Sequence, residues 1–267
     1  MASIPSLFVA HGSPMVAVED SPYGRFLDTL ASRLPTPRAI VVFTAHWEHG
    51  TQRIGAHPAP STVHDFGGFP EVLYQIRYPA PGDPALAETI RHRLAEMGVE
   101  AELDERRGLD HGVWTILRRM YPEASIPVVA MSVNPRLAPA EQFAIGQALS
   151  PLRADGVLII GSGATVHNLA RLDWSRSDDT PTPWALEFER WLESRLSAWD
   201  LEALFRHRDL APGVELAVPP WGSEHFAPLF YAMGASSDHP VAHLWHRDFQ
   251  FGSLCNSVYV FGSDERL

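Results

Sequence analysis

The chain has 267 residues, of which 45% are hydrophobic, and a formal net charge of −11. This length and apolar content allow one sizeable core and fall within the range of a single α/β domain. Acidic residues are scattered through a net-negative chain, so a nucleic acid or an anionic membrane has no electrostatic support as a partner. Cys255 is the only cysteine, which excludes an internal disulfide and leaves nitrogen and oxygen as the ligands for any metal.

The amino-terminal stretch shows no targeting signal. Met1–Ser6 carries no positively charged side chain, and no apolar run approaches the roughly 18 residues of a membrane span. We therefore expect a cytoplasmic protein with neither signal peptide nor membrane anchor. No repeat, low-complexity tract or linker divides the sequence, so residues 1–267 are predicted to form one domain.

The first predicted elements form a β-α-β unit with a histidine after each strand. The apolar run Leu7–Ala10 is too short for a helix and ends at the turn His11-Gly12-Ser13-Pro14. It predicts a buried strand that brings His11 to the edge of a sheet, where open α/β sheets carry their chemistry. Helical spacing of apolar residues over 23–34 follows, and a second buried strand, Ala39–Ala45, ends at His46.

A long connection after His46 contains the motif His64-Asp65-Phe66-Gly67-Gly68-Phe69-Pro70. Connections of this length in compact domains are more often functional than filler, and the aromatic residues and glycines of the motif suit a substrate lid. An ordinary surface loop accounts for the segment equally well.

The remaining sequence continues to alternate strand and helix signals. The turn before His111 places this residue at a helix amino terminus, beside Asp110. The aromatic helical face from Trp184 to Trp199 is interpreted as core or as a dimer contact. Together the elements predict a single-domain α/β fold, with a central, mostly parallel sheet flanked by helices. The further predicted elements are helices at 84–97, from 111, at 138–152 and from 184, and strands at 99–103, 126–131, 156–161, 241–245 and 258–261.

Several of the 13 histidines follow or precede sharp glycine or proline turns. Imidazole is the commonest protein metal ligand, so histidines that meet at the strand-end rim of a sheet would form a metal site. Other histidines lie in helical, polar or strand contexts and are interpreted as structural or surface residues. The turn histidines are His11, His46, His167 and His225, and the others are His92, His207, His239, His243 and His246.

A series of short motifs, in one order along the chain, resembles the 4,5-DOPA extradiol dioxygenase family of the class III, non-haem-iron ring-cleaving dioxygenases. The similarity extends from residue 11 to about residue 230, so it is specific and implies that residues 1–267 are a single catalytic domain of this type. The motifs are His11-Gly12-Ser13-Pro14-Met15, Ala45-His46-Trp47, His64 to Pro70, Asp110-His111-Gly112, His167-Asn168-Leu169 and Glu224-His225-Phe226.

The resemblance implies that His11, His46 and His225 bind a divalent metal. Other class III enzymes complete their ligand set with a glutamate, whereas the matching position here reads Glu224-His225. Neighbouring side chains at such a turn usually diverge, so we expect one of the two to face the metal, with His225 preferred and Glu224 as the alternative.

The resemblance also implies roles beyond the metal ligands. His167 is expected to act as an acid/base or as a further ligand, and His111 is expected to be catalytic. His64, Asp65 and Phe66 are expected to bind the substrate.

The implied reaction is the opening of a catechol ring next to its two hydroxyls by O2, with Fe(II) as the active metal. Zn(II) lies higher than Fe(II) in the affinity order and is expected to be able to occupy the site in isolated protein. A zinc hydrolase and a non-catalytic metal-binding α/β protein also explain the histidines, but neither explains the order of the motifs. The particular catechol, the bond cleaved and the choice between monomer and homodimer remain open.

Overall fold

A computed structural model describes residues 3–176 and 178–264. Residues 1–2, Ser177 and 265–267 of the predicted domain lie outside the described residues. The strands are β1 (Ser6–Ala10), β2 (Ala39–Glu48), β3 (Gln52–Gly55), β4 (Ala101–Asp104), β5 (Val128–Val133), β6 (Val157–Gly163), β7 (Ala242–Gln250) and β8 (Leu254–Phe261).

The helices surround these strands. They are α1 (Pro22–Leu30), α2 (Glu71–Tyr74), α3 (Pro84–Glu96), α4 (His111–Met120), α5 (Pro139–Ala148), α6 (Ser150–Ala154), α7 (Pro183–Ser197), α8 (Leu201–Phe205), α9 (His207–Leu210), α10 (Val214–Ala217) and α11 (Pro228–Ala235). Short 3-10 turns occupy Pro14–Ala17, Ala31–Arg33 and Leu169–Arg171. Among the described residues, no helix combines the length and the apolar character needed to cross a membrane.

The strands form one mixed sheet in the order β4-β3-β5-β2-β6-β1-β8-β7. Its centre is parallel, because β5, β2, β6 and β1 all run in the same direction. The flanking strands add antiparallel pairs, β3 to β5 on one side and β8 to β1 and β7 on the other. The predicted single-domain α/β fold is confirmed, and its four central strands end at one rim.

Alternate residues along the central strands pack into separate cores on the two faces of the sheet. Ile40 and Val42 of β2 contact the core under α1 and α4, whereas Val41 and Phe43 contact the core under α3, α5 and α11. A third apolar cluster joins the aromatic face of α7 to β8 and α11. That face is therefore core, one of the two interpretations offered by its sequence.

The structure differs from the predicted elements in several places, among them the short helices α2, α8, α9 and α10, which were not predicted. The long connection after His46 contains β3, and the predicted helix over 138–152 is divided at Leu149 into α5 and α6. Helix α11 was not predicted. It is buried along its whole length, so its sequence carries no polar face to mark a helical period.

Candidate active site

Five histidines meet where the central parallel strands end. His11 follows β1 directly, His46 lies two residues before the end of β2, and His167 follows β6 after a short loop. His111 is the first residue of α4, and His225 lies in the loop before α11. The structure thus brings together the histidines singled out at turns and adds His111 to them.

The loop that carries His225 is held close against β6 by a glycine. Ala164 donates its backbone N–H to the His225 carbonyl at 2.8 Å. A Cβ at Gly163 would lie 2.1 Å from the same carbonyl oxygen, so only glycine fits at this position. The strand predicted at 156–161 continues through Ser162 to Gly163, where the glycine allows this close packing.

The tautomer of His11 is fixed by Ser162. The Ser162 hydroxyl donates to the Gly112 carbonyl at 2.5 Å, and His11 Nδ1 lies 3.1 Å from the hydroxyl oxygen of Ser162. Because the only hydroxyl proton is already donated, the oxygen accepts a hydrogen bond from His11 Nδ1–H. The lone pair of His11 is therefore on Nε2.

His11 and His46 bring their Nε2 atoms to 3.0 Å from each other. Two lone pairs at this distance repel each other, so a proton or a cation has to lie between them. Two nitrogen ligands of one divalent ion, each bound at about 2.0–2.1 Å as on zinc, are separated by roughly 2.9–3.4 Å for right-angle to tetrahedral geometry. The observed distance falls within that interval.

His225 lies beside this pair: its candidate ligand atoms group with those of His167 and Glu224, and those of His11 and His46 group with His111. His225 Nδ1 lies 2.9 Å from Glu224 Oε1, so the carboxylate accepts the Nδ1 proton and leaves the lone pair on Nε2. Nε2 is buried and has no hydrogen-bond partner among the described residues. The ring centroid of His225 lies 5.1 Å from that of His11 and 5.0 Å from that of His46.

His111 is bound to Asp65 by two hydrogen bonds. Its backbone N–H and its Nδ1 both lie 2.9 Å from Asp65 Oδ1. The other carboxylate oxygen lies 3.6 Å from His46 Nδ1. Asp65 therefore fixes the tautomer of His111, with the lone pair on Nε2, and places a negative charge beside His46.

His167 packs face to face on His225, with ring centroids 3.6 Å apart and planes inclined by 9°. Its backbone N–H donates to the Ala217 carbonyl at 3.0 Å, which fixes its position in the loop. The neighbouring Asn168 donates its side-chain amide to the Leu216 carbonyl at 2.9 Å.

Burial lowers the pKa values of His11, His46, His167 and His225. Burial, with a further contribution from His111, lowers the pKa of His46 to about 3 and that of His167 to about 4. Burial and the surrounding histidines hold the pKa values of His11 and His225 well below the usual range. Neutral imidazoles with free lone pairs can bind a cation or accept a proton.

The pKa of Asp65 is the result of two opposing effects. Burial raises it, but the hydrogen bonds and the charge of His111 outweigh burial and lower the pKa to about 2. Asp65 is therefore ionised at neutral pH.

The histidines line the floor of a cavity of about 510 Å3. Phe66 and Phe69 of the predicted lid contribute to its wall, and the ring centroid of Phe66 lies 5.6 Å from that of His111. His64 does not line the cavity: its Nε2 lies 3.1 Å from the Ile76 carbonyl, and its ring packs against Phe66, Tyr74 and Trp114. It supports the lid from behind.

Sequence reasoning missed residues that position the histidines. Arg107 donates to the His46 carbonyl at 3.0 Å and to the buried Asp110 carboxylate at 2.8 Å. Asp110 also accepts from the Thr44 hydroxyl at 2.7 Å, which ties β2 to the start of α4. The only available signal was the position of Asp110 beside His111. Ser162, at the end of a buried strand, carried none.

The fold and the site define an α/β protein with a centre of convergent imidazoles, of the kind that holds a divalent metal, at the floor of a cavity. Residues 5–262 match the family described as the catalytic LigB subunit of aromatic ring-opening dioxygenase, and the chain belongs to that family.

The relatives agree with this assignment. The chain is 40% identical over 268 residues to a 4,5-DOPA dioxygenase extradiol of Beta vulgaris, covering 97% of this chain and 96% of the relative. It is also 40% identical over 236 residues to the enzyme of that name from Escherichia coli K12, covering 87% and 85%. The crystal structure of an uncharacterized protein from Escherichia coli K12 superposes with a TM-score of 0.82 at 33% identity, covering 97% of this chain and all of that one.

The resemblance found in the sequence is thereby confirmed, and the chain is an extradiol aromatic ring-opening dioxygenase. The zinc-hydrolase and non-catalytic interpretations lose their support.

Proposed function

We propose that this enzyme cleaves a substituted catechol, DOPA-like or other, beside its two hydroxyls, at an Fe(II) ion held by His11, His46 and His225. These three residues are called the metal triad below. The observation that carries the proposal is the buried Nε2 of His225, which has no partner among the described residues and belongs to a ring whose centroid lies 5.1 Å from that of His11 and 5.0 Å from that of His46. Burial of a nitrogen lone pair without a hydrogen-bond donor costs free energy, and one cation would satisfy the Nε2 lone pairs of His11, His46 and His225.

The surroundings of the triad support the same assignment. Metal-binding histidines usually donate their second N–H to a carboxylate, a carbonyl or a hydroxyl. His11 donates to Ser162 and His225 to Glu224, while His46 has Asp65 at 3.6 Å. We therefore propose that Glu224 orients His225 and is not itself a ligand.

When bound, Fe(II) supplies the redox chemistry that lets O2 react with the catechol, and its charge acidifies the ring hydroxyls. Zn(II) fits the same ligands but has no redox chemistry, so we propose that it would occupy the site without supporting turnover.

Two histidines of the cavity are proposed to accept the protons that the substrate releases. A catechol that binds through both oxygens releases two protons, and the imidazole rings of His167 and His111 in the cavity lining are placed to accept them. Asp65 accepts the Nδ1–H of His111, which leaves the Nε2 lone pair of His111 for a substrate proton. A positioned base typically contributes about 10²–10⁴-fold to the rate.

The lid excludes water. Phe66 and Phe69 place apolar rings on the cavity wall beside His111, which lowers the local polarity around the reacting oxygens. We propose that Phe66 contacts the substrate directly, that Asp65 acts through His111, and that His64 acts by supporting the lid.

Metal-depleted protein loaded separately with Fe(II) and Zn(II), and supplied with a panel of substituted catechols, tests this function. We expect O2 consumption and a yellow ring-fission product with Fe(II), and neither with Zn(II). Ester hydrolysis by the Zn(II) form, with no O2 consumption by the Fe(II) form, would instead favour a hydrolase.

A further inference from the structure

The outer part of the cavity is much less polar than its histidine floor. Its wall is formed mainly by apolar side chains, among them Met15, Leu172, Phe251 and Leu254. The volume of about 510 Å3 falls within the range of roughly 300–1,000 Å3 that holds drug-sized ligands. A catechol ring bound at the triad leaves much of this wall uncovered, so a substituent on the ring would extend along it.

The mouth of the cavity carries two exposed apolar side chains. Leu169 is 56% exposed and Trp174 is 67% exposed, although both belong to the cavity lining. Trp174 packs at 4.8 Å from the Phe251 ring, which keeps its position at the mouth. When a ligand covers exposed apolar surface at the border of a binding cavity, the burial of that surface stabilises the complex. An apolar arm on the substrate would reach these residues.

The charges in the lining have one sign. Glu19 is the one acidic residue among the described residues that line the cavity, and Gln250 is an uncharged polar residue of the same lining. The chain contains no lysine, and none of the described residues that line the cavity is an arginine. A carboxylate on the substrate would therefore meet no cation at the cavity wall and would be repelled by Glu19.

The nearby arginines are engaged elsewhere. Arg119 donates to the backbone carbonyl of Glu19 and pairs with the carboxylate of Asp28 at 3.1 Å. Arg176 donates to the Thr180 carbonyl at 2.8 Å. In the described part of the chain, the side-chain carboxylate of Glu19 forms neither an ion pair nor a hydrogen bond with another residue. It is available to a ligand.

We infer that the preferred substrate is a catechol whose substituent is an apolar arm with a positively charged amine and no carboxylate, selected by Glu19. This inference rests on the proposed ring cleavage and concerns the same cavity. The arm covers the apolar wall, and its ammonium group pairs with Glu19, while a zwitterionic amino acid such as DOPA carries an additional negative charge that the wall does not neutralise. Glu19 is thus a specificity-determining residue for the reaction.

The test compares four catechols with the Fe(II)-loaded enzyme: an aminoethyl, an ethyl, an amino-acid and a carboxyethyl derivative. We expect kcat/KM to fall in that order. In Glu19→Gln, KM for the amine should rise about tenfold, as expected for loss of a charge-assisted hydrogen bond, and KM for the ethyl compound should change less than about twofold. The advantage of the amine in the unchanged enzyme should also decrease as salt is added.

Glu187→Gln is the matched control, because Glu187 is exposed on α7 and does not line the cavity. It should leave all four kcat/KM values unchanged. The inference is overturned if the carboxyethyl compound is used as well as the amine, or if Glu19→Gln leaves the ratio of amine to ethyl compound unchanged. Failure of the unchanged enzyme to cleave any of the four would instead contradict the proposed function.

Discussion

The hydrogen bonds between Asp65 and His111 give the sharpest test of how protons move in this site. Asp65 Oδ1 accepts from both the backbone N–H and Nδ1 of His111, each at 2.9 Å. In Asp65→Asn the side chain keeps its shape and one acceptor oxygen but loses its charge. The variant therefore separates orientation of the ring from stabilisation of the imidazolium that forms when Nε2 takes a proton.

The size of the effect follows from those two bonds. A hydrogen bond to a charged group contributes about 1.5–3 kcal/mol and a neutral one about 1 kcal/mol, so weakening both costs roughly 1–3 kcal/mol. Since about 1.4 kcal/mol corresponds to a tenfold change in rate, kcat should fall roughly 10- to 100-fold. Asp65 remains ionised at neutral pH because its pKa is lowered to about 2, so the loss should be similar at all pH values near neutrality.

The assay is steady-state O2 consumption by the Fe(II)-loaded protein, with iron stoichiometry measured on the same sample. Asp209→Asn serves as control, since its side chain is 67% exposed and pairs only with Arg206 among the described residues. We expect full iron content and the reduced kcat in Asp65→Asn. An unchanged kcat would refute the role of His111 in proton transfer, and loss of iron would show that Asp65 supports the metal instead.

Three further predictions concern the metal, the second base and the lid. Replacement of any member of the metal triad, such as His46→Ala, should remove most bound metal and leave the fold intact. By contrast, His239→Ala, at a half-buried position outside the cavity lining, should retain metal. Elemental analysis decides, and full stoichiometry in the triad variant contradicts the assignment. His167→Gln with excess Fe(II) should keep metal and catechol binding but lower turnover by roughly two to four orders of magnitude, while recovery of the rate at saturating iron would make His167 a ligand. Gly67→Leu fits the fold, because the space around its Cβ is open, and should weaken catechol binding more than metal binding; equal loss of both would indicate a purely structural loop.

The elements that the sequence predicts well are those with a strong local signal. The run before His11 could be recognised because four apolar residues end at a glycine and a proline, and β1 covers that run. Strand β3 was missed because it has only four residues, two of them polar, inside a segment that resembles a loop. Helix α11 gave no signal, since a helix buried on all sides has no polar face.

The site could be predicted only in part, for a related reason. A glycine or proline turn identifies a neighbouring histidine as a candidate. The four histidines identified in this way, His11, His46, His167 and His225, lie in one cluster in the structure. The partner that fixes a tautomer is not marked, because Ser162 lies 151 residues from His11 and contacts it only through the parallel pairing of β1 and β6. Contacts of this kind depend on the assembled sheet. The cytoplasmic location and the oligomeric state stay predictions.

The central claim is that this chain uses O2 at the metal triad to open a catechol ring beside its hydroxyls. The most direct measurement is a single turnover of the Fe(II)-loaded enzyme with catechol and isotopically labelled O2, followed by mass spectrometry of the product. The account predicts a ring-opened product that carries both labelled oxygen atoms, with none formed by the His46→Ala variant. A product without label, or an equal yield from that variant, would contradict it.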